Sequence, residues 1–551
     1  MMLLQKMLLF FHTVRYLRWT QVIYRLKYKC FPFHSVGKSI NSHTVNAPVV
    51  SNWEWAGPEI YEQSLFESGS VFFLNTRASF EEGLTWNDPR FEKLWLYNLH
   101  YFDDLNAVGN SSRKELQYNF ILRWINENLA PHGNSWEPYP LSLRLVNWIK
   151  WYNRSGIRNQ QIEFSILEQA DALSKQLEHH ILGNHLFANA KALVFVGCFI
   201  EGEQGAKYLN LGLKILSRQI PEQFLEDGGH FELTPMYHCI LLWDLLDLIN
   251  LEVITGKKEI ATVLPQWRRV ASKALNWLSV MQQPDGEVSF FNDSTMGIAA
   301  TPAQLFSYAA YLNLEFDEQV LPELVTLANS GYSRVSKPEH TLLFDHASVG
   351  PDYLPGHAHA DTLSVEWSVG LQRVLVNSGT SVYGLGQERL RQRKTAAHNT
   401  VEVDNLDSSE VWSGFRVARR AYSKLLNTTT NNGNVSLIAS HDGYTRLKGK
   451  VIHQREVNVN DNSLTITDKL QGNFTRATVH WHLHPAIKVE QLSSCELRLS
   501  LNNGKRIVVK SNSSLQVLQS SWHPGFGEAI SSFKVIAHFS SAEVITSFLI
   551  F

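Results

Sequence analysis

The spacing of apolar residues changes once along this 551-residue chain, near residue 331, and that change constrains the fold more than any other feature. Before it, apolar side chains recur at intervals of three and four, as in 141–153, 161–182 and 237–254, which is the period of amphipathic helices. After it, apolar and polar residues alternate in short runs separated by turns, which indicates strands. The pattern predicts an α+β multidomain protein, with a helical domain followed by an antiparallel β-sheet domain built as a sandwich or as layered sheets.

Three segments follow from this change. Residues 1–85 are predicted to form an irregular leader, residues 86–330 the helical domain, and residues 331–551 the β domain. Short loops rich in Gly, Asn, Pro and Asp separate the predicted helices. The helical domain is therefore either a bundle or a ring of helical hairpins with a cleft at one end.

The first thirty residues carry both apolar and basic side chains. Lys6 and the apolar run 7–11 imitate the opening of a signal peptide, but the run is short and Arg15 and Arg18 follow it. We therefore predict an amphipathic basic helix rather than a cleavable signal, packed on the body or resting on a membrane surface. No apolar run reaches the roughly 18–20 residues that span a bilayer. A cell-envelope or periplasmic location and a cytoplasmic one both stay open.

Charge and cysteine content exclude several classes of protein. Lys and Arg total 50 against 52 Asp and Glu, so the chain lacks the basic excess of a typical nucleic-acid binder. The four cysteines form no CxxC pair, which argues against a disulfide scaffold or a structural zinc cluster. Aromatic residues make up 11%, which suits either sugar stacking or a large aromatic core. The oligomeric state is not constrained.

Polar and titratable residues gather beside glycines in four places: 183–193, 226–238, 355–367 and 377–404. None of them matches a phosphate-binding loop, a dinucleotide fingerprint, HExxH or GxSxG. If 357–361 were a strand, His357, His359 and Asp361 would share one face, as suits a metal or a base with its orienting partner. The alternative is a polar loop.

The clusters together resemble the heparinase II/III family of polysaccharide lyases. The resemblance rests on NH at 184–185, a helix opening at Tyr237, HAHAD at 357–361 and AHNTV at 397–401, and it covers most of the chain. NSGTSVYG and DSSEVWSGFRVARR further resemble members from bacterial exopolysaccharide or O-antigen gene clusters. The resemblance implies an incomplete (α/α) toroid followed by an antiparallel β-sheet domain, and β-elimination of a uronic-acid-containing glycan.

The resemblance also implies roles for single residues. Asn184 and His185 would hold and neutralise the uronate carboxylate, although Asn184 could instead be an ordinary helix cap. Tyr237 would be the catalytic phenol and His357 its imidazole partner. The chemistry needs a base for the C5 proton and an acid for the O4 leaving group. Tyr237 can serve as both, or His357 can be the base, and the sequence leaves both geometries open.

A structural divalent metal, zinc or calcium, is a weaker expectation from the same resemblance. His359 and His398 fall at family metal-ligand positions, but Asn377 stands where the family usually has an aspartate. Asparagine keeps a neutral carbonyl ligand and loses a negative charge, so metal affinity should fall. No organic cofactor is expected.

Substrate contacts are predicted from two further groups. Residues 136–148 place Trp136, Tyr139, Arg144 and Asn147 around a helix start, which suits an acidic glycan or simply a buried helix-start cluster. Arg389 and Arg393 belong to a basic loop that could meet the uronates or be solvated.

Two other functions remain as alternatives. A glycoside hydrolase would need two facing carboxylates, for which Glu226, Asp227 and Glu232 are the nearest candidates. A non-catalytic glycan-binding or assembly factor would keep the aromatic cleft without needing Tyr237 or His357.

Overall fold

A computed structural model describes residues 2–31, 48–316, 321–431 and 433–551. Helices dominate up to residue 311. Their bounds are α1 Met2–Val14, α2 Trp19–Cys30, α3 Lys93–Tyr101, α4 Lys114–Glu127, α5 Pro138–Ser155, α6 Gln160–Lys175, α7 Gly183–Phe199, α8 Gly202–Gln223, α9 Pro235–Thr255, α10 Lys258–Ala261, α11 Leu264–Met281, α12 Pro302–Tyr311 and α13 Gln387–Arg393.

The helices from α3 to α12 form two layers. Helices α3, α5, α7, α9 and α12 contact one another in that order and make the inner layer, while α4, α6, α8 and α11 pack outside them. The sequence explains the layering, since α7 and α9 are apolar around most of their circumference and are buried on nearly all sides. This is the incomplete (α/α) toroid implied by the family resemblance.

The strands are all paired antiparallel. Their bounds are β1 Ser70–Phe73, β2 Thr76–Ser79, β3 Leu324–Leu327, β4 Tyr332–Ser336, β5 His340–Asp345, β6 Val365–Val369, β7 Gln372–Leu375, β8 Val401–Val403, β9 Val411–Trp412, β10 Arg416–Val417, β11 Ser423–Asn431, β12 Asn434–His441, β13 Ile452–Asn460, β14 Ser463–Gln471, β15 Ala477–His482, β16 Lys488–Ser493, β17 Glu496–Ser500, β18 Arg506–Ser511, β19 Leu515–Trp522, β20 Ile530–Phe539 and β21 Glu543–Ile550.

Three sheets of the β domain surround one core. Their strand orders are β3-β4-β5-β6-β7, β11-β12-β13-β14-β21-β18-β17-β16 and β19-β20-β15-β8. Buried and less buried residues alternate along strands such as β12 and β13, whereas β5, β6 and β15 are buried at every residue, and the inward side chains pack into a single apolar cluster. The predicted antiparallel β domain is therefore confirmed, in the form of layered sheets.

The ends of the two domains differ slightly from the predicted division. The last toroid helix ends at Tyr311 and the first strand of the β domain begins at Leu324, a few residues before 331. The described part of the segment 1–85 contains α1, α2 and the β1–β2 hairpin, and the predicted basic helix falls on α1 and α2. Within the described residues, no helix is both long and apolar enough to cross a membrane.

Candidate active site

Tyr237 and His357 lie in direct contact where the toroid meets the β domain. Tyr237 is the third residue of α9, and its phenol ring stacks on the His357 imidazole with centroids 3.8 Å apart and planes 18° from parallel. Burial, followed by the neighbouring Tyr383 and Tyr139 phenols, raises the pKa of Tyr237 well above its ordinary value. Tyr237 is therefore a protonated phenol at neutral pH, ready to donate.

Glu232 fixes the orientation of the His357 ring. Its Oε2 lies 2.6 Å from Nδ1 of His357, and only 2% of Glu232 is exposed. Burial alone would raise the pKa of Glu232, but His357 opposes it and the pKa falls below its ordinary value. The carboxylate thus accepts from Nδ1–H, so proton exchange with a ligand would use Nε2 of His357.

Asn184 and His185 form a second group at the start of α7. The N-cap position belongs to Leu182 and no side chain caps this helix end, so the alternative of Asn184 as a helix cap is not supported. Burial and the Asp244 charge raise the pKa of the Tyr139 phenol, and the nearby Asn184 amide opposes that rise. The His185 ring packs on Tyr139 at 4.4 Å and is the one residue of α7 that is not buried.

Glu178 favours the cationic form of His185. Its Oε1 lies 2.9 Å from Nδ1 of His185. Burial lowers the pKa of His185, but the Glu178 carboxylate outweighs it and the pKa rises above its ordinary value. A partly exposed imidazolium beside an amide can bind a carboxylate group.

The two groups adjoin each other through Gly183. A Cβ at Gly183 would lie 2.5 Å from Leu354 Cδ2 and 3.1 Å from the Oε1 atom of Glu232, so the helix start is pressed against the Glu232–His357 pair. The flanking backbone is strained, because Leu182 and Leu233 have φ of 74° and 58°. Such strain concentrates at functional sites.

Tyr383 completes the group and was not predicted as a site residue. Its hydroxyl lies 3.1 Å from that of Tyr237, and either phenol can donate. Burial, followed by the charge of Asp293, raises the pKa of Tyr383 well above its ordinary value. The sequence feature that could have pointed to Tyr383 is the NSGTSVYG run, which was noted only for its family resemblance.

The segment 357–361 is a loop, which corrects the strand geometry considered for it. His357 faces Tyr237, whereas His359 points to a buried group behind the site. Nε2 of His359 lies 2.7 Å from Asp293 Oδ1, and its Nδ1 lies 3.2 Å from Nε2 of His398. Each histidine has its own long-range partner, so alternation along the chain does not place them on one face.

The donor atoms around His359 and His398 do not fit a tight metal site. Nδ1 of His398 lies 3.2 Å from Oδ1 of Asn377, so the imidazole nitrogens already form a chain from Asp293 to Asn377. The described residues contain no cluster of three or more His, Cys, Asp or Glu side chains that could hold a metal ion. Asn377 brings no charge to replace the missing carboxylate.

Asp293 is the centre of this buried group. It lies on the segment between α11 and α12, and the Arg389 guanidinium pairs with both of its oxygens. Burial would raise the pKa of Asp293, but Arg389 and His359 hold it well below its ordinary value. The toroid thereby supplies a carboxylate that neutralises Arg389 of the β domain.

Three of the four helix-start candidates are buried. Arg144 is 0% exposed and donates to Gln169, to the His100 carbonyl and to the Ser135 carbonyl. The structure thus favours the buried helix-start cluster over substrate contact for the following residues: Trp136, Arg144 and Asn147. Tyr139 differs, since it packs beside His185.

Arg389 and Arg393 are also buried, which corrects their placement in a loop that meets substrate or solvent. Both lie on α13 and are 0% exposed. Arg389 neutralises Asp293, and the Arg393 guanidinium donates to the Ala358 carbonyl. They support the loop that carries His357 from behind.

The carboxylates considered for a glycoside hydrolase do not act as a pair. Glu226 is exposed, Asp227 accepts from the backbone of residues 329 and 330, and Glu232 is bonded to His357. Because each has separate partners, no facing acid and base pair is formed among these three residues.

An (α/α) toroid joined to layered antiparallel sheets, with Asn, Tyr and His at their junction, defines a two-domain protein of the polysaccharide-lyase architecture. Residues 87–319 match the family profile for the heparinase II/III N-terminus, and residues 319–548 match that for the heparinase II/III-like C-terminal domain. The chain therefore belongs to the heparinase II/III family.

Curated relatives cover part of the chain. It is 26% identical over 314 residues to a heparin-sulfate lyase of Bacteroides stercoris, which covers 53% of this chain and 44% of that protein. It is 25% identical over 345 residues to a heparin-sulfate lyase of Pedobacter heparinus, covering 57% and 48%. The alignments thus span about half the length of these relatives.

Solved structures share the fold over a larger part. A crystal structure of heparinase III superposes with a TM-score of 0.70 at 17% identity, covering 85% of this chain and 80% of that one. A heparan sulfate lyase, HepC, from Pedobacter heparinus gives 0.59 at 16% identity, covering 96% and 87%. At these identities the likeness establishes the fold.

Proposed function

We propose that this protein is a polysaccharide lyase that cleaves a uronic-acid-containing acidic glycan by β-elimination. The observation that carries the proposal is the His357 ring, which stacks on the Tyr237 phenol while Glu232 holds its Nδ1. This arrangement supplies a base and an acid side by side, next to the amide and imidazolium of Asn184 and His185. The names of the curated relatives support the same class of activity.

The roles follow from the protonation states. Nε2 of His357 takes the proton from C5 of the uronate, whose electrons form the C4–C5 double bond while the C4–O4 bond breaks. Tyr237, a phenol with a strongly raised pKa, donates its proton to the departing O4. Atoms balance, since one proton moves from C5 to the imidazole and another moves from the phenol to the leaving sugar.

Asn184 and His185 would stabilise the carboxylate, on which negative charge grows as the C5 proton leaves. Preorganised donors aimed at developing charge are among the largest contributions to catalysis. His185 suits this role because Glu178 raises its pKa and favours its cationic form. Tyr139 positions both groups, since it lies near Asn184 and packs on His185.

Tyr383 would relay a proton from water to Tyr237 after each turnover, while the His357 imidazolium releases the C5 proton to water. The two hydroxyls are within hydrogen-bond distance, at 3.1 Å. Donation by Tyr237 leaves a phenolate, which burial disfavours. Rapid reprotonation through Tyr383 would relieve that cost.

The natural substrate would be a bacterial surface polysaccharide. The runs NSGTSVYG and DSSEVWSGFRVARR support this part of the proposal through their resemblance to members from exopolysaccharide clusters. Tyr383 and Phe415, whose rings are 5.2 Å apart, come from these two runs and both lie next to His357. Sequence differences in these two runs would therefore change which glycan the site binds.

The test is a screen of purified protein against uronate polysaccharides, read by the ultraviolet absorbance of the unsaturated uronate product. We expect product with at least one of them, and its loss in Tyr237→Phe. Tyr311→Phe is the matched control, because Tyr311 is 56% exposed on α12. New reducing ends without the absorbance would indicate hydrolysis, and glycan binding without products would indicate a non-catalytic factor; either would contradict the proposal.

A further inference from the structure

The first two helices present an apolar surface to solvent. On α1 the large exposed side chains recur at three and four residues, which is one helical face. They are Leu4, Met7, Leu8, Phe10 and Phe11, exposed by 48% to 64%. On α2, Trp19, Ile23 and Leu26 repeat the pattern with exposures of 80%, 58% and 57%. We call these eight side chains the apolar face.

The opposite sides of both helices attach to the body through hydrogen bonds. Gln21, which is 1% exposed, donates to the carbonyls of Ile181 and Tyr353. On α1, the Thr13 hydroxyl accepts from the Trp412 indole at 3.0 Å. A helix on a soluble body normally turns its apolar stripe inward, and these two helices do the reverse. Exposed apolar patches of this kind mark interaction surfaces.

The segment that carries the apolar face is basic, although one of its basic side chains, Arg18, pairs with Glu222 of the body. Residues 1–31 contain no Asp or Glu, whereas the whole chain has slightly more acidic than basic residues. The segment has six basic residues, and all six are exposed: Lys6, Arg15, Arg18, Arg25, Lys27 and Lys29. A basic rim around an apolar face complements an anionic surface that has an apolar interior.

We propose that α1 and α2 bind the surface of a membrane containing anionic lipids, with the apolar face in the boundary between headgroups and acyl chains. Aromatic side chains such as Trp19 favour that boundary, and basic side chains interact with the lipid phosphates. A second copy of the chain fits less well, because a twofold contact would bring two identical basic rims together. This inference does not depend on lyase activity.

The experiment is sedimentation of the full-length protein with lipid vesicles. We expect binding to vesicles of phosphatidylcholine and phosphatidylglycerol, little binding to phosphatidylcholine alone, and weakening as salt rises. The double variant Phe11→Glu with Ile23→Glu should raise the dissociation constant at least about tenfold. Leu371→Glu is the matched control, because Leu371 is 74% exposed in the turn between β6 and β7.

Folding of the variants is checked by their melting temperatures, which should stay unchanged because both substituted side chains are exposed. Absence of binding to either vesicle would overturn the proposal. Equal binding to both vesicles would also overturn it, since anionic lipid would then have no role. A dimer that light scattering detects and that Phe11→Glu with Ile23→Glu dissociates would assign the face to a second copy instead.

Discussion

Replacing Glu232 by glutamine tests whether the carboxylate orients His357 for catalysis. The substitution keeps the shape of the side chain and removes its charge, which now lies 2.6 Å from Nδ1 of His357. A hydrogen bond to a charged group contributes about 1.5–3 kcal/mol. If that contribution acts in the transition state, kcat should fall roughly 10- to 150-fold, at about 1.4 kcal/mol per tenfold change.

The kinetic constants separate this role from simple support of the fold, because loss of the orienting carboxylate should lower kcat while KM stays nearly unchanged. Stability should also respond to pH. Because the folded pKa of Glu232 lies below its ordinary value of 4.5, its carboxylate stabilises the protein above that pH. The melting-temperature gap between wild type and Glu232→Gln should therefore be present at neutral pH and close as the pH falls below 4.5.

The assay is the rate of unsaturated uronate formation on the substrate found in the screen, with melting curves from the same preparations. Glu226→Gln is the matched control, since it makes the same chemical change at an exposed position six residues earlier. A folded Glu232→Gln protein with unchanged kcat would refute the orienting role.

Three other changes have definite expected outcomes. Asn184→Ala should lower kcat by about two to three orders of magnitude with little change in melting temperature, because it removes a preorganised donor and no helix cap. Glu178→Gln should make binding of a uronate oligosaccharide weaken at a lower pH than in wild type. The reason is that the Glu178 carboxylate raises the pKa of His185, so without it the imidazolium loses its proton at a lower pH. Titration calorimetry at several pH values measures this. Chelator treatment of the wild type should leave its melting temperature unchanged. Asn377→Asp should increase the uptake of zinc or calcium, as measured by elemental analysis. A wild-type melting temperature that falls on chelation would show that His359 and His398 hold metal.

The sequence predicted the two-domain fold because local periodicity reports directly on burial. Apolar spacing of three and four gave the toroid helices, and the change to alternation gave the sheets within a few residues of β3. Tyr237 and Asn184 were predicted through the family resemblance, and the structure places both at the beginning of a strongly apolar helix.

The partners of the site residues could not be predicted, since they are distant in the chain. Glu232 was considered only as a hydrolase carboxylate, and its bond to His357 spans 125 residues. Arg389 looked like a solvated charge in a basic run, whereas its counter-ion Asp293 lies 96 residues earlier. The sequence alone does not show whether an arginine is buried, because buried and exposed arginines look alike until the carboxylate that pairs with the buried one is known.

Asp293 also determines how this protein can be divided. It belongs to the toroid, yet it pairs with Arg389 and His359 of the β domain, all of them nearly inaccessible to water. Separating the domains between α12 and β3 would break this ion pair and open its buried surroundings to water. We therefore expect neither half to keep the geometry of the site alone, and chimeras with relatives should exchange Asp293 together with the α13 arginines.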